Sequence, residues 1–222
     1  MSNGNYSEIL ERVAAAAARA GHPGRVLAVS KTKPAAAIRA LAALGQRAFG
    51  ENYVQEALAK QIELDGLNLE WHLIGPLQSN KCREVALHFD WLQSLDRGKL
   101  IEPLNRHRDA ARSPLNVLIQ VNIDAEPSKS GCAPAEVPRL AHEIAQAPRL
   151  RLRGLMAIPQ PAPDATARRA AFERMHALYA ATRATFPQMD TLSMGMSDDF
   201  ELAIECGASM VRIGTALFGA RA

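Results

Sequence analysis

The residue with the clearest chemical potential is a lysine that follows directly on a short apolar run. Lys31 closes the stretch Val26-Leu27-Ala28-Val29-Ser30. An amine at the end of a buried strand is partly desolvated, which favours its neutral, nucleophilic form. A neutral amine attacks a carbonyl carbon. The competing reading is a strand-end lysine whose ammonium snorkels into water, and position alone leaves both open. Six lysines stand among the 26 basic residues, so amine chemistry has few other candidates. Lys33, just before Pro34, reads as a neighbour that adds positive field. Lys129, in Ser128-Lys129-Ser130-Gly131, reads as a solvated loop residue; a second aldehyde-reactive amine there would bear on transfer of a bound aldehyde.

A second feature lies near the C-terminus, where Ser193-Met194-Gly195-Met196-Ser197-Asp198-Asp199 is followed by Arg212-Ile213-Gly214-Thr215. Small hydroxyls, backbone N–H groups and glycine are what a phosphate-binding turn requires. The ordinary alternative is structural. Ser197 would then cap a helix, Asp198 and Asp199 would complement its dipole, and Gly214 would permit a tight turn. An amine facing a phosphate cup suits pyridoxal phosphate, whose aldehyde needs the one and whose phosphate needs the other. Asn52 reads equally as a hydrogen-bond partner for the ring oxygen of such a cofactor or as a helix cap. His72, within Trp-His-Leu-Ile-Gly, could act as a base but reads more readily as a satisfied core group.

These residues matter together only if the chain brings them to one place. Residues 7–20 have helical periodicity, with Ser7 as the expected cap and Gly21-His22-Pro23-Gly24 as the stop. The unit of strand, polar loop and helix then recurs eight times. Its strands are expected at 26–29, 47–50, 71–74, 91–94, 115–121, 152–158, 191–193 and 210–213. Its helices are expected up to about 44, then near 52–64, 80–87, 97–108, 135–147, 164–185 and 197–206, with a terminal helical turn. Eight alternations predict an α/β fold, a single (β/α)8 TIM-type barrel with an extra N-terminal helix, residues 1–222 forming one domain. An open doubly wound sheet competes, but the first turn, Ser-Lys-Thr-Lys-Pro, lacks the glycines such folds use there. In a barrel, the polar residues that follow each strand converge at one mouth. Ser30, Lys31, Glu51, Asn52, Gly75, Pro76, Gln78, Ser79, Asn80, Ser94, Asp96, Asn122, Met156, Ser193–Asp199, Arg212, Gly214 and Thr215 are expected there.

Composition excludes several classes of function. With 48% hydrophobic residues the chain can fill a core, and a net charge of +3 without a basic run argues against nucleic acid. Cys82, Cys132 and Cys206 are odd in number and lack metal-ligand spacing, so neither a disulfide framework nor a metal site is expected. The polar N-terminus and the short alanine run 14–18 give neither signal peptide nor membrane span, and the expected compartment is the reduced cytoplasm.

Seven stretches in order, AVSKTKP, FGENYVQE, WHLIGPLQSNK, VLIQVNID with SKSG behind it, RGLMAIP, LSMGMSDDFELAI and VRIGTALFGAR, resemble the pyridoxal phosphate homeostasis protein family over nearly the whole chain. The resemblance implies a barrel similar to the N-terminal domain of alanine racemase. It implies Lys31 as the Schiff-base lysine, holding pyridoxal 5'-phosphate as an internal aldimine. The loops of Ser193, Ser197, Gly214 and Thr215 would take the phosphate, Arg212 would face the pyridine nitrogen, and Asn52 would be a further cofactor contact. An arginine at that nitrogen disfavours its protonation and so weakens the ring as an electron sink. With the chain consumed by the barrel, no second domain is expected to supply an opposite-face acid or base. The implied role is cofactor binding and supply without a required turnover, by a monomer that meets pyridoxal phosphate-dependent apoenzymes transiently. Two alternatives remain: a weak amino-acid racemase or lyase, and an aldolase-like barrel with a reactive Lys31 but no visible chromophore.

Overall fold

Parallel strands buried on both faces need a helical crossover between each pair, and the chain supplies them in turn. The structure, a computed structural model, describes residues 3–126, 129–160 and 164–219. Helix α1 (Asn3–Ala20) precedes β1 (Arg25–Val29), α2 (Ala35–Ala43), β2 (Ala48–Glu51), α3 (Val54–Glu63), β3 (Glu70–Leu73), α4 (Cys82–His88), β4 (Trp91–Leu95) and α5 (Ile101–His107). The second half continues through β5 (Leu115–Val121), α6 (Val137–Ala145), β6 (Leu150–Ala157), α7 (Ala165–Thr185), β7 (Thr191–Met196), α8 (Phe200–Glu205), β8 (Met210–Ile213) and α9 (Thr215–Phe218). The strands form one closed parallel barrel in sequence order. Closure is made by β8 against β1, with Arg25 opposite Met210 and Leu27 opposite Arg212.

Alternation along each strand divides the side chains between two cores. In β3, Trp71 and Leu73 join the large cluster between the sheet and the helices, while Glu70 and His72 turn inward. The inside of the barrel holds two small apolar clusters, Leu27 with Ala48 and Met210, and Trp91 with Leu118 and Met156. Helices meet the outer core through one stripe; in α6 the buried residues are Val137, Leu140, Ala141 and Ile144, the spacing of a single helical face. Each large aliphatic side chain so buried contributes roughly 1.5–3 kcal/mol. Helix α1 packs on α8, where Arg12 pairs with Glu201 and lies over the Phe200 ring.

Several local expectations are corrected. Helix α1 already runs at Asn3, so Ser7 is inside it and caps nothing. The expected helix 52–64 begins at Val54 behind Tyr53, and Asn52 makes no cap. Likewise α8 begins at Phe200 behind Asp199, whose Oδ1 accepts the Met196 N–H at 2.7 Å; Ser197 does not cap it, and its Oγ instead accepts the Ala216 N–H in the first turn of α9 at 3.5 Å. The first turns of the helices expected at 80 and 97 are 3-10 turns, Ser79–Lys81 and Gly98–Leu100. Strand β7 extends to Met196 rather than ending at Ser193. Ser128 and residues 161–163 of the proline-rich loop lie outside the described residues, as do residues 220–221 of the final motif.

Candidate functional site

Strand ends decide which side chains reach the mouth. A cavity of about 440 Å³ opens at the C-terminal ends of the strands, within the roughly 300–1,000 Å³ of small-molecule sites. Its wall includes Lys31, Asn52, Ser197, Arg212, Gly214 and Thr215, joined by Gln120, Lys129 and Asp198. Val29, Ile74, Pro76, Ile158 and Met196 give it apolar sides.

Lys31 is half-buried, and no hydrogen bond or ion pair holds its amine among the described residues. Its backbone, by contrast, is tightly held. Thr32 adopts φ +63, a left-handed conformation that a β-branched residue takes only when the surroundings compel it. Glu56 Oε1 accepts the Thr32 N–H at 2.6 Å. Lys60 Nζ, on α3, donates to Ser30 O at 2.8 Å, Glu51 Oε1 at 2.7 Å and Glu56 Oε1 at 2.6 Å. Ser30 Oγ donates to the same Glu51 oxygen at 2.6 Å. Burial raises the Glu51 carboxyl against the lowering pull of Lys60 and Ser30, and its Oε2 finds no partner. This buried cluster lies behind the Lys31 loop, on the helix side of the sheet. Lys33 turns elsewhere, towards the carbonyls of Phe218 and Gly219.

Arg212, 4% exposed, donates through Nη2 to Ala157 O and through Nη1 to Ser193 Oγ, both at 2.8 Å. Burial pulls the guanidinium down to about 10, with Asp199 opposing, so it stays charged at neutral pH. Ser193 is therefore not a wall residue; it lies buried beneath Arg212. Glycine at 214 answers no internal demand, since a Cβ there would meet only Val29 at 3.5 Å or more. Its missing side chain leaves room on the cavity side. Gly75 is different, because a Cβ would strike Asn52 O at 2.2 Å, and this close approach fixes the Asn52 backbone at the rim.

Six of the seven predicted cofactor residues thus share one cavity, and Ser193 supports it from below. Among the mouth residues expected with them, Glu51 points to α3 and Met156 is buried inside the barrel. Lys129, read as solvated, is exposed and also contributes to the wall. His72 is fully buried inside the barrel and does not reach the cavity. Lys60 was missed, although a lysine three residues after Ala57 and four before Leu64 sits on the buried stripe of α3. Gln120 was also missed; its signal is inward alternation from Leu118 at the end of β5. Among the described residues no cluster of three His, Cys, Asp or Glu could hold a metal, and no helix is long and apolar enough to cross a membrane.

The family model for the alanine racemase N-terminal domain matches residues 5–222. The pyridoxal phosphate homeostasis protein of Pseudomonas aeruginosa is 56% identical over 220 residues, covering 98% of this chain and 94% of that protein. The chain belongs to the pyridoxal phosphate homeostasis protein family. Its Escherichia coli K12 member is 52% identical over 223 residues, 98% of this chain and 95% of that one. Among solved structures, PipY of Synechococcus elongatus PCC7942 with PLP bound is 41% identical with a TM-score of 0.82, covering 94% of this chain and 99% of that chain. Alanine racemase from Corynebacterium glutamicum, 21% identical with a TM-score of 0.67, covers 95% of this chain and 60% of its own, and shows the shared barrel alone.

Proposed function

We propose that the chain binds pyridoxal 5'-phosphate through Lys31 and serves intracellular cofactor homeostasis without requiring turnover. The observation that carries this reading is the sharing of one cavity by the unpartnered Lys31 amine, the Ser197, Gly214 and Thr215 turn, and the buried Arg212 guanidinium. When bound, the cofactor supplies an aldehyde that condenses with a primary amine, and a phosphate that needs several donors. Lys31 Nζ offers the amine. Ser197 and Thr215 would offer hydroxyls, and Gly214 leaves room beside the Thr215 N–H, while the Ala216 N–H meets Ser197 Oγ and the Leu217 N–H meets Gly214 O. Arg212 would present fixed positive charge and N–H donors to the ring, which would keep a ring nitrogen an acceptor. Asn52, whose backbone is held by the close approach of Gly75, would be a further hydrogen-bond partner for the cofactor. The monomer passes the cofactor transiently to dependent apoenzymes in the cytoplasm.

The reading is tested by α-proton exchange of L- and D-alanine in deuterated buffer. Wild type and Arg212→Glu are both expected to exchange little above free pyridoxal phosphate, because racemisation needs acid/base groups on both faces of the substrate carbon. Brisk wild-type exchange promotes the weak racemase instead. The phosphate turn has its own test. Thr215→Ala is expected to weaken pyridoxal phosphate by about 1.5–3 kcal/mol in a binding titration, the worth of a hydrogen bond to a charged group, while leaving pyridoxal nearly unchanged. Equal losses for both ligands would move the phosphate elsewhere.

A further inference from the structure

Five side chains inside the barrel form one unbroken series of hydrogen bonds, from the cavity to the opposite end of the strands. Arg212 Nη1 donates to Ser193 Oγ, and Ser193 Oγ donates to Gln93 Oε1 at 2.8 Å. Gln93 Nε2 lies 2.9 Å from His72 Nδ1, and His72 Nε2 lies 2.5 Å from Glu70 Oε1. Glu70, on the first residue of β3, also accepts from Arg25 Nη2 at 2.7 Å. His72, Gln93 and Ser193 are fully or almost fully shielded from solvent. The series touches both inner clusters, since Gln93 Nε2 meets Met210 Sδ at 3.2 Å and His72 stacks on Trp91 with ring centroids 5.1 Å apart.

Its polarity follows from what each group can do. A guanidinium only donates, so Ser193 Oγ must accept from Arg212 and spend its single proton on Gln93 Oε1. The Gln93 amide nitrogen then faces His72, which makes Nδ1 the lone-pair nitrogen and places the imidazole proton on Nε2. That proton goes to Glu70. Every donor points the same way, from a cation at one end to an anion at the other.

We propose that Ser193, Gln93 and His72 are positioning residues for Arg212, a relay of fixed polarity that orients the guanidinium in the cofactor cavity against Glu70 at the far end of the barrel. Among the described residues Arg212 has no ion pair with a carboxylate, Asp199 acting on it only at longer range, and a buried cation without compensation is costly. Aligned dipoles leading to Glu70 supply that compensation. The relay is also all-or-none. A second proton on His72 would set Nδ1–H against the Gln93 NH2, the amide would have to flip, and Ser193 would lose the acceptor for its own proton. Burial acts first to push His72 down, and this outweighs the upward pull of Glu70, so the imidazole stays neutral; the other charges around it are Arg25 and Asp90. Burial alone would raise Glu70, but the His72 hydrogen bond and the Arg25 guanidinium outweigh it and hold the carboxyl below its usual value.

The ligand readout rests on the cavity being the pyridoxal phosphate site, whereas the polarity is measurable in the protein alone. Nitrogen-15 NMR of the ligand-free chain is expected to show His72 neutral with its proton on Nε2. Gln93→Leu breaks the series and is expected to weaken pyridoxal phosphate and pyridoxal alike by about tenfold, ~1.4 kcal/mol, because Arg212 faces the ring and not the phosphate. Borohydride labelling of Lys31 at saturating cofactor should persist in that variant. Gln93→Glu keeps an oxygen facing Ser193, so affinity should return to within about twofold of wild type, while His72 becomes doubly protonated between two carboxylates. A proton on Nδ1 in the wild type overturns the proposal. So does a Gln93→Leu chain that binds both ligands as wild type does, or a Gln93→Glu chain that binds as weakly as Gln93→Leu. If Gln93→Leu fails to fold, the wild-type tautomer and the Gln93→Glu pair still decide. Absence of Lys31 labelling in the wild type would instead sink the cofactor reading and leave the relay standing.

Discussion

Lys31→Ala is expected to abolish the visible absorbance band that pyridoxal phosphate gives with the wild-type chain, together with the borohydride-trapped label on the Ser30-Lys31-Thr32 peptide. Binding through the phosphate turn and Arg212 survives without the covalent link, so the expected loss of affinity is about 100-fold, ~2.8 kcal/mol. Among the described residues, the other amines are poor substitutes. Lys33 donates to the Phe218 and Gly219 carbonyls, and Lys60 is enclosed by Glu51 and Glu56. Lys129 is the other amine in the cavity wall. Peptide mapping therefore reads the outcome directly: a band of wild-type intensity with label at Lys129 would reassign the linkage.

Lys60→Met should destabilise the fold by about 3–5 kcal/mol, the usual cost of removing one partner from a buried pair. Glu51 has 0% side-chain exposure and would be left as a buried charge with only Ser30 donating to it. The pH dependence has a definite sign. Burial already raises Glu51, and losing Lys60 raises it further, so the carboxyl is more easily protonated in the folded than in the unfolded chain. Such a group stabilises below its unfolded value, and that contribution is lost as pH rises through the folded one. The deficit relative to wild type should therefore be largest above neutrality and shrink on acidification. Urea unfolding at several pH values measures it, and a deficit below about 1 kcal/mol at neutral pH would show that Lys60 is dispensable. Adding Glu51→Gln should recover much of the loss, because it removes the stranded charge.

The barrel was legible because its signal is repetitive. Apolar runs such as Leu115–Val121 followed by helical spacing such as Val137–Ile144 recur regardless of individual residues. Lys31, Arg212, Gly214 and Thr215 were legible for a related reason: a strand end in a barrel fixes which mouth a residue approaches. Positions where two local rules competed were harder. Asn52 and Ser197 have the composition of caps for the helices that follow them, and only the later starts of α3 at Val54 and α8 at Phe200 place Asn52 at the cavity and turn Ser197 towards the first turn of α9. Ser193 stands in the same strand-end motif, but β7 runs on to Met196, which leaves it inside the barrel. Long-range polar pairing was invisible. Gln93 and Ser193 are 100 residues apart, and nothing in either neighbourhood announces the other. Lys60 could have been found, but only by asking why a charged residue occupied the buried face of a helix.

Closure of β8 on β1 also sets an order of events on the ribosome. The cavity pairs Lys31 with Arg212, Gly214 and Thr215, so roughly 180 residues must be translated between its first wall and its last. At the usual rate of roughly 5–20 residues per second, that interval is roughly 9–36 s. Throughout it β1 has an open edge, the kind of surface that recruits stray strands. The nascent chain meanwhile carries the Lys31 amine without the Arg212, Gly214 and Thr215 side of the cavity around it. Completion of the cavity thus waits on the synthesis of β8 and the Gly214-Thr215 turn, whatever its first wall has already reached.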